Sequence, residues 1–157
     1  MIDIRKDLPP LGHVGYVVED VEACAALYAK ILGIESFRVY EFTPMRAWAS
    51  GAPLSPCRLK IGIGQLKNET KIELIQPVEG DTPHERFLRK NGPGLHHMAF
   101  YSRQYEEWHD YFQGTGAEFV FEAEAEDDVV GYRRSLYAQV PGLTGLIEIT
   151  EIAWKRK

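Results

Sequence analysis

The sequence predicts an α+β fold: two tandem βαβββ modules that join into one cupped, mixed β-sheet. Three observations predict it. A strand-like run opening on a histidine, with a tiny residue two places later, occurs twice, at His13-Val14-Gly15 and at His97-Met98-Ala99. Each run is followed by a helical segment and then by three further strand-like runs. The last run of each half carries a glutamate between apolar neighbours, Glu73 in Ile72-Glu73-Leu74 and Glu148 in Ile147-Glu148-Ile149. Internal repetition of this kind constrains a fold more than any single motif does.

The elements follow in order. The first strand covers Gly12 to Val18. The first helix should span Asp20 to Leu32, because Val21, Cys24, Ala25, Tyr28, Ile31 and Leu32 recur at helical spacing between an N-capping Asp20 and a terminating Gly33. Strands are expected at 34–42, 57–64 and 70–77. Between 43 and 56, Pro44, Gly51, Pro53 and Pro56 interrupt any regular pattern, which reads as a long loop, either a lid or an unstructured connection. A connector helix is expected at about 82–91, starting at Pro83 with Phe87 and Leu88 as its apolar side. The second module repeats the order. It has a strand around His97, a helix over 103–113 capped by Ser102 with Tyr105, Trp108, His109 and Phe112 on one stripe, and strands at 117–123, 132–140 and 145–151. The modules span about 10–77 and 94–152 of a single domain, since about 75 residues with one helix would be marginal alone.

Composition narrows the function. The chain has 157 residues, 45% hydrophobic and 26% charged, with a net charge of −5 and a pI of about 5.6. Those values suit a soluble globular protein and supply no phosphate-neutralising surface for nucleic acid or an anionic membrane. The basic run Lys155-Arg156-Lys157 reads as a solvated tail. No apolar stretch is long enough to cross a bilayer and the N-terminus is too charged for a signal peptide, so the expected address is the cytoplasm. Cys24 and Cys57 have no metal-type spacing; Cys24 is expected to be a buried, reduced thiol.

Strand alternation turns the repeat into chemistry. His13, Gly15 and Val17 share one face, while Val14, Tyr16 and Val18 face the helix. By the same count His97 and Ala99 share the face opposite to His96, Met98 and Phe100. His97 is therefore the counterpart of His13, and His96 is a packing residue or the donor of a supporting hydrogen bond. A carboxylate in an apolar strand is costly to desolvate unless it is paired or bound to a cation. Two such carboxylates, each with a matching histidine, call for a common partner. His13, Glu73, His97 and Glu148 are thus candidate ligands of one divalent metal, Zn, Ni, Co, Mn or Fe. His84 and His109 have no counterpart in the other half and read as surface or core residues.

These segments resemble the vicinal oxygen chelate superfamily, which includes glyoxalase I, methylmalonyl-CoA epimerase, extradiol dioxygenases and antibiotic-resistance proteins. The resemblance runs through His13-Val14-Gly15-Tyr16-Val17-Val18, Lys71 to Pro77, Phe87 to Phe100 and Gly145 to Thr150. The stretch from Lys71 to Phe100 is most similar to the methylmalonyl-CoA epimerase and glyoxalase I-like branch. The resemblance implies the glyoxalase/dioxygenase-like fold, a metal at the four residues above, a homodimer, and a small-molecule carbonyl or thioester substrate. It implies a lyase or isomerase acting beside a carbonyl, lactoylglutathione lyase-like or acyl-CoA epimerase-like, with Glu148 or Glu73 moving the proton. The epimerases carry an acid on the strand before that of Glu73; here the run 57–64 holds Arg58 and Lys60 instead, and Arg58 is a candidate for binding an anionic substrate group. An Fe(II) extradiol-type dioxygenase and a non-catalytic small-molecule binder are the alternatives.

Overall fold

The computed structural model describes residues 1–127 and 131–153; the basic tail at 155–157 lies outside them. After a short helix, α1 (Ile4–Asp7), the first module runs β1 (Leu11–Val17), α2 (Val21–Leu32), β2 (Phe37–Phe42), a hairpin β3 (Arg46–Ala49) and β4 (Ala52–Pro53), β5 (Arg58–Gln65) and β6 (Lys71–Glu79). Helix α3 (Pro83–Asn91) connects it to β7 (Gly94–Tyr101), α4 (Tyr105–Gly114), β8 (Glu118–Asp127), β9 (Gly131–Gln139) and β10 (Leu146–Ala153). No helix among the described residues is long and apolar enough to cross a membrane.

All strands form one sheet, in the order β2-β5-β6-β1-β7-β10-β9-β8-β3-β4. The two modules are related by a pseudo-twofold axis between β1 and β7, which pair antiparallel. On one side β1 pairs parallel with β6, and on the other β7 pairs parallel with β10. The four strands expected to carry the metal ligands are therefore consecutive, two on each side of that axis. Helices α2 and α4 each cover one face of their own module. Val21 and Ala25 of α2 pack on Ile72 and Leu74, and Trp108 and Phe112 of α4 pack on Leu136, Ala138 and Ile149. Burying such side chains contributes about 1.5–3 kcal/mol each.

Helix α2 has the expected caps. The Asp20 side chain accepts from the Ala23 amide, and Gly33 closes the helix in the left-handed region at φ 67°. Its apolar stripe fades at the end, with Ile31 and Leu32 exposed and Cys24 only half-buried rather than buried. Helix α4 starts two residues later than expected. Ser102 accepts from the Gln104 amide in a turn before the helix instead of capping it.

The segment 43–56 is not a loop. Its proline and glycine residues are those of a tight β-hairpin: Trp48 pairs with Pro53 and Ala49 with Ala52, across Ser50 and Gly51. Both turn residues have positive φ, 48° and 79°, as a two-residue type I′ turn requires. Pro53 sits on the outermost strand, where no backbone donor is needed. The hairpin leaves the first module and pairs β3 with β8 of the second. Arg46 binds Glu124, and Ser50 Oγ donates to Glu118 at 2.6 Å. Ala47 packs beneath it with Cys57, Phe121, Ala123 and Tyr137.

His84, at the start of α3, is a core residue. It is fully buried between the modules, with Nε2 3.0 Å from the Tyr137 hydroxyl and its ring edge-on to Phe121. Burial, reinforced by repulsion from His97, pushes its pKa down to about 3. Between that value and the ordinary ~6.5 of an unfolded chain, the unfolded state binds a proton that the folded state does not. Stability therefore falls as pH drops through this window. Comparing urea denaturation of the wild type with His84→Leu should show their stability difference shifting in favour of the variant on acidification, by ~1.4 kcal/mol per pH unit between about pH 6 and 4. A difference independent of pH would show that the ring is not held neutral.

Candidate metal centre

His13, Glu73, His97 and Glu148 converge at the middle of the sheet's concave face. Each is 2–7% exposed, and one ligand atom from each lies within 4.8 Å of all the others. The register explains the convergence. Gly15 is flanked by Glu73 on β6 and His97 on β7, while Ala99 is flanked by Glu148 on β10 and His13 on β1. Each tiny residue thus has the glutamate of its own module on one side and the histidine of the other module on the other. At Gly15 the space is filled: a Cβ there would meet His97 Cε1 at 2.1 Å. The glycine gives way to the ring of His97, its neighbour across the central pair.

A second feature repeats. In the β1–β7 ladder one extra residue is accommodated on each strand, Gly12 before His13 and His96 before His97. Such bulges re-aim the side chain that follows. They also decide what each imidazole leans on. Gly12 has no side chain, and the Tyr101 ring occupies its place, 2.8 Å from where a Cβ would be; Tyr101 OH lies 2.7 Å from His13 Nδ1. On the other strand the bulged residue itself is the partner: His96 Nδ1 is 3.0 Å from His97 Nδ1. His96 is accordingly buried on the side of His97 rather than facing the helix. Tyr137 stacks on the His97 ring at 4.8 Å between centroids. With Nε2 used as a ligand, Nδ1 of each ring carries the hydrogen and donates it, to Tyr101 on one side and to His96 on the other. This is the usual outer support of metal-binding imidazoles.

The donor set fits a cation. The two Nε2 atoms are 3.1 Å apart. Glu73 Oε1 lies 3.4 Å from His13 and 3.2 Å from His97, and Glu148 Oε2 lies 3.0 Å from both. Ligand atoms about 2.1 Å from a common ion stand ~3.0 Å apart when adjacent in an octahedron and ~3.4 Å apart in a tetrahedron. Glu148 Oε2 makes no well-directed hydrogen bond despite these distances, as expected when lone pairs aim at a shared centre and not at one another. Electrostatics agree. Burial alone would favour neutral imidazoles, yet the carboxylates of Glu73 and Glu148 hold both histidine pKa values above their ordinary level. Burial alone would also raise both carboxyls, yet the histidines hold them below the usual range. The cluster demands positive charge. A proton can bridge two of its atoms, whereas a divalent ion satisfies all four at once.

Above the cluster opens a cavity of about 210 Å³. Strand β5 gives it Leu59, Ile61 and Ile63, so its wall on that side is apolar. Arg38, Tyr40, Lys71, Tyr101, Arg133 and Tyr137 are polar groups on the remaining walls. Arg58, expected to reach an anionic substrate, faces outward instead and pairs with Glu41 and Glu79. Lys60 faces α2 and binds Glu22 at 2.9 Å. Both alternate with the pocket residues of β5.

A family model of the Glyoxalase/Bleomycin resistance protein/Dioxygenase superfamily matches residues 12–132. The chain belongs to this superfamily. Human mitochondrial methylmalonyl-CoA epimerase is 33% identical over 94 residues, 59% of this chain and 46% of that protein. The chain's matches span about half the length of its curated relatives. Among solved structures, methylmalonyl-CoA epimerase from Mycobacterium tuberculosis superposes with a TM-score of 0.66 at 20% identity, covering 99% of this chain and 95% of that one. A variant of the Streptomyces coelicolor epimerase in complex with 2-nitronate-propionyl-CoA gives 0.63 at 18% identity, covering 94% and 99%. These structures share the glyoxalase/dioxygenase-like fold.

Within this superfamily fold, residues around the ligands were open to the same parity argument as the histidines. Tyr101 follows His97 and Ala99 at alternate positions, and Thr150 follows Glu148; the Thr150 hydroxyl donates to Glu148 Oε1 at 2.8 Å. His13→Ala and His97→Ala should each lose most of the bound metal by elemental analysis. Gly15→Ala, which leaves every ligand in the sequence, should lower metal affinity at least tenfold by displacing His97. Unchanged stoichiometry in both histidine variants would refute the centre.

Proposed function

We propose that this chain is a divalent-metal-dependent isomerase or lyase that moves a proton beside a carbonyl, acyl-CoA epimerase-like or lactoylglutathione lyase-like. The observation that carries the reading is a four-ligand N₂O₂ cluster at the floor of a small cavity whose β5 wall is apolar. The bound ion, whether Zn, Ni, Co, Mn or Fe, would supply positive charge for the carbonyl oxygen as the neighbouring carbon loses its proton. The pocket accounts for the rest.

The proton must go to a base within reach. Glu73 and Glu148 are the carboxylates among the described residues lining the cavity. They differ in how they are held. Glu148 is held at Oε1 by the Thr150 hydroxyl while its Oε2 faces the histidines at 3.0 Å, whereas Glu73 meets the two histidines through Oε1. Glu73 is therefore the carboxylate freer to turn toward substrate, take the proton from carbon and return it. Glu148 stays in place as the fixed acidic ligand. The apolar Leu59, Ile61 and Ile63 limit competition from water for the carbanion. A second carboxylate among the ligands disfavours the dioxygenase reading, whose chemistry uses two histidines and one carboxylate with positions left for oxygen. Similarity to methylmalonyl-CoA epimerases supports the acyl-CoA arm of the proposal, and the absence of an acid on β5 favours the single-carboxylate, glyoxalase-type arm.

In D₂O, metal-replete protein should catalyse deuterium incorporation beside the carbonyl of an acyl-CoA thioester such as methylmalonyl-CoA, or of the adduct of a thiol with a 2-oxoaldehyde. Glu73→Gln should slow that exchange at least a hundredfold. No exchange with either class by the metal-replete wild type would sink the reading.

A further inference from the structure

A second opening reaches a residue that supports the metal centre. It is a cleft of about 650 Å³ between α3 and one end of strands β7, β10, β9 and β8. It shares no lining residue with the cavity above the four ligands. Helical spacing turns Pro83, Phe87 and Lys90 of α3 toward it, at i, i+4 and i+7. Phe87, Leu95, Val120 and Leu146 give it apolar walls.

His96 joins this cleft to the metal centre. It is 4% exposed and lines the cleft, and its Nδ1 lies 3.0 Å from Nδ1 of His97. Of two nitrogens so placed, one donates and the other accepts. With His97 Nε2 turned to the ion, His97 supplies the hydrogen, and the neutral His96 ring carries its own on Nε2. That N–H has no hydrogen-bond partner among the described residues. Nor is it sealed in, since the buried nitrogens without a partner among those residues are His84 Nδ1 and Trp108 Nε1. An unsealed donor that meets nothing in the chain is open to an acceptor in the cleft.

Charge marks the same end of the cleft. Lys90 forms no ion pair among the described residues, whereas Arg86 is held by both oxygens of Asp81 at 3.0 Å. Lys90 stands one turn from Phe87 on α3, and the Phe87 ring packs edge-on to His96 with 5.0 Å between centroids. The acid in the cleft, Glu118, belongs to β8, three strands from β7 and so about 14 Å away by strand spacing. It accepts the Ser50 hydroxyl. The His96 end is therefore the one that suits an anion.

Resting on the metal-dependent reading above, we infer that this cleft binds a small carboxylate with an apolar body, that the carboxylate takes the His96 Nε2 hydrogen beside the Lys90 ammonium, and that its binding is coupled through His96 to the metal ligand His97. Carboxylate, His96 and His97 then form one chain of hydrogen bonds. An acceptor at its outer end makes the inner imidazole a stronger ligand. The coupling is reciprocal: the bound carboxylate tightens the ion by the factor by which the ion tightens the carboxylate.

The probe is 4-phenylbutyrate, compared by calorimetry with 4-phenylbutanol on the full chain, as purified and zinc-loaded. The carboxylate should bind at least tenfold more tightly, and Lys90→Glu, outside the metal cavity, should reduce that preference below twofold. Zinc affinity, measured by competition with a chelator, should rise at least threefold when 4-phenylbutyrate saturates the wild type. His96→Asn, whose side-chain oxygen can still accept from His97 but which lacks the outer N–H, should lose that rise. No preference for the carboxylate, or a preference that survives Lys90→Glu, would overturn the site. Zinc affinity unchanged by the bound carboxylate, or a rise that survives His96→Asn, would overturn the coupling. Failure of zinc to bind at all would overturn the metal reading and the coupling with it, while the carboxylate preference of the chain as purified still decides the cleft.

Discussion

Everything at the concave face depends on two small residues lying in the central antiparallel pair. Strands in a sheet are about 4.8 Å apart, so a histidine and a glutamate on the two strands that flank a third can meet over it only if the residue between them is small. Gly15 and Ala99 supply that gap, and each is bordered by the glutamate of its own module and the histidine of the other. The four ligand side chains therefore do not reach toward a distant point; they lean over two nearly bare positions on the sheet. At Gly15 the space is so completely taken by the His97 ring that even a methyl group has no place.

The pseudo-twofold axis governs the ligands and breaks down one layer behind them. His13 and His97 occupy equivalent positions, each preceded by a bulged residue. One bulge holds a glycine and so admits a tyrosine; the other holds a histidine that makes the contact directly. The glutamates also differ, with Glu148 fixed by Thr150. Duplication gives a symmetric cage, and substitutions in the surrounding layer make its two sides chemically unequal.

The repeat, the order of strands and the grouping of His13, Glu73, His97 and Glu148 on one face were legible in the sequence because they depend on alternation and helical spacing, which are local. What was not legible has a local disguise. Strict alternation puts His96 on the helix side, and a bulge, which no composition signals, returns it to the side of His97. The prolines and glycine of 43–56 read as breakers, yet Ser50-Gly51 is a turn and Pro53 belongs to an edge strand. Nothing in the run 57–64 fixes which of its faces is inward; Leu59 and Ile61 take the inward positions, which turns Arg58 out to Glu41 and Glu79.

The β3–β4 hairpin carries a mechanical consequence. The first module ends the sheet on one flank at β2, and three residues later the chain is paired to β8 on the opposite flank. The sheet is thereby belted: its two far sides are tied by a short covalent stretch as well as by the ladder through the middle. A cup fastened in this way cannot widen by spreading its halves apart, so its girth is fixed when the chain folds.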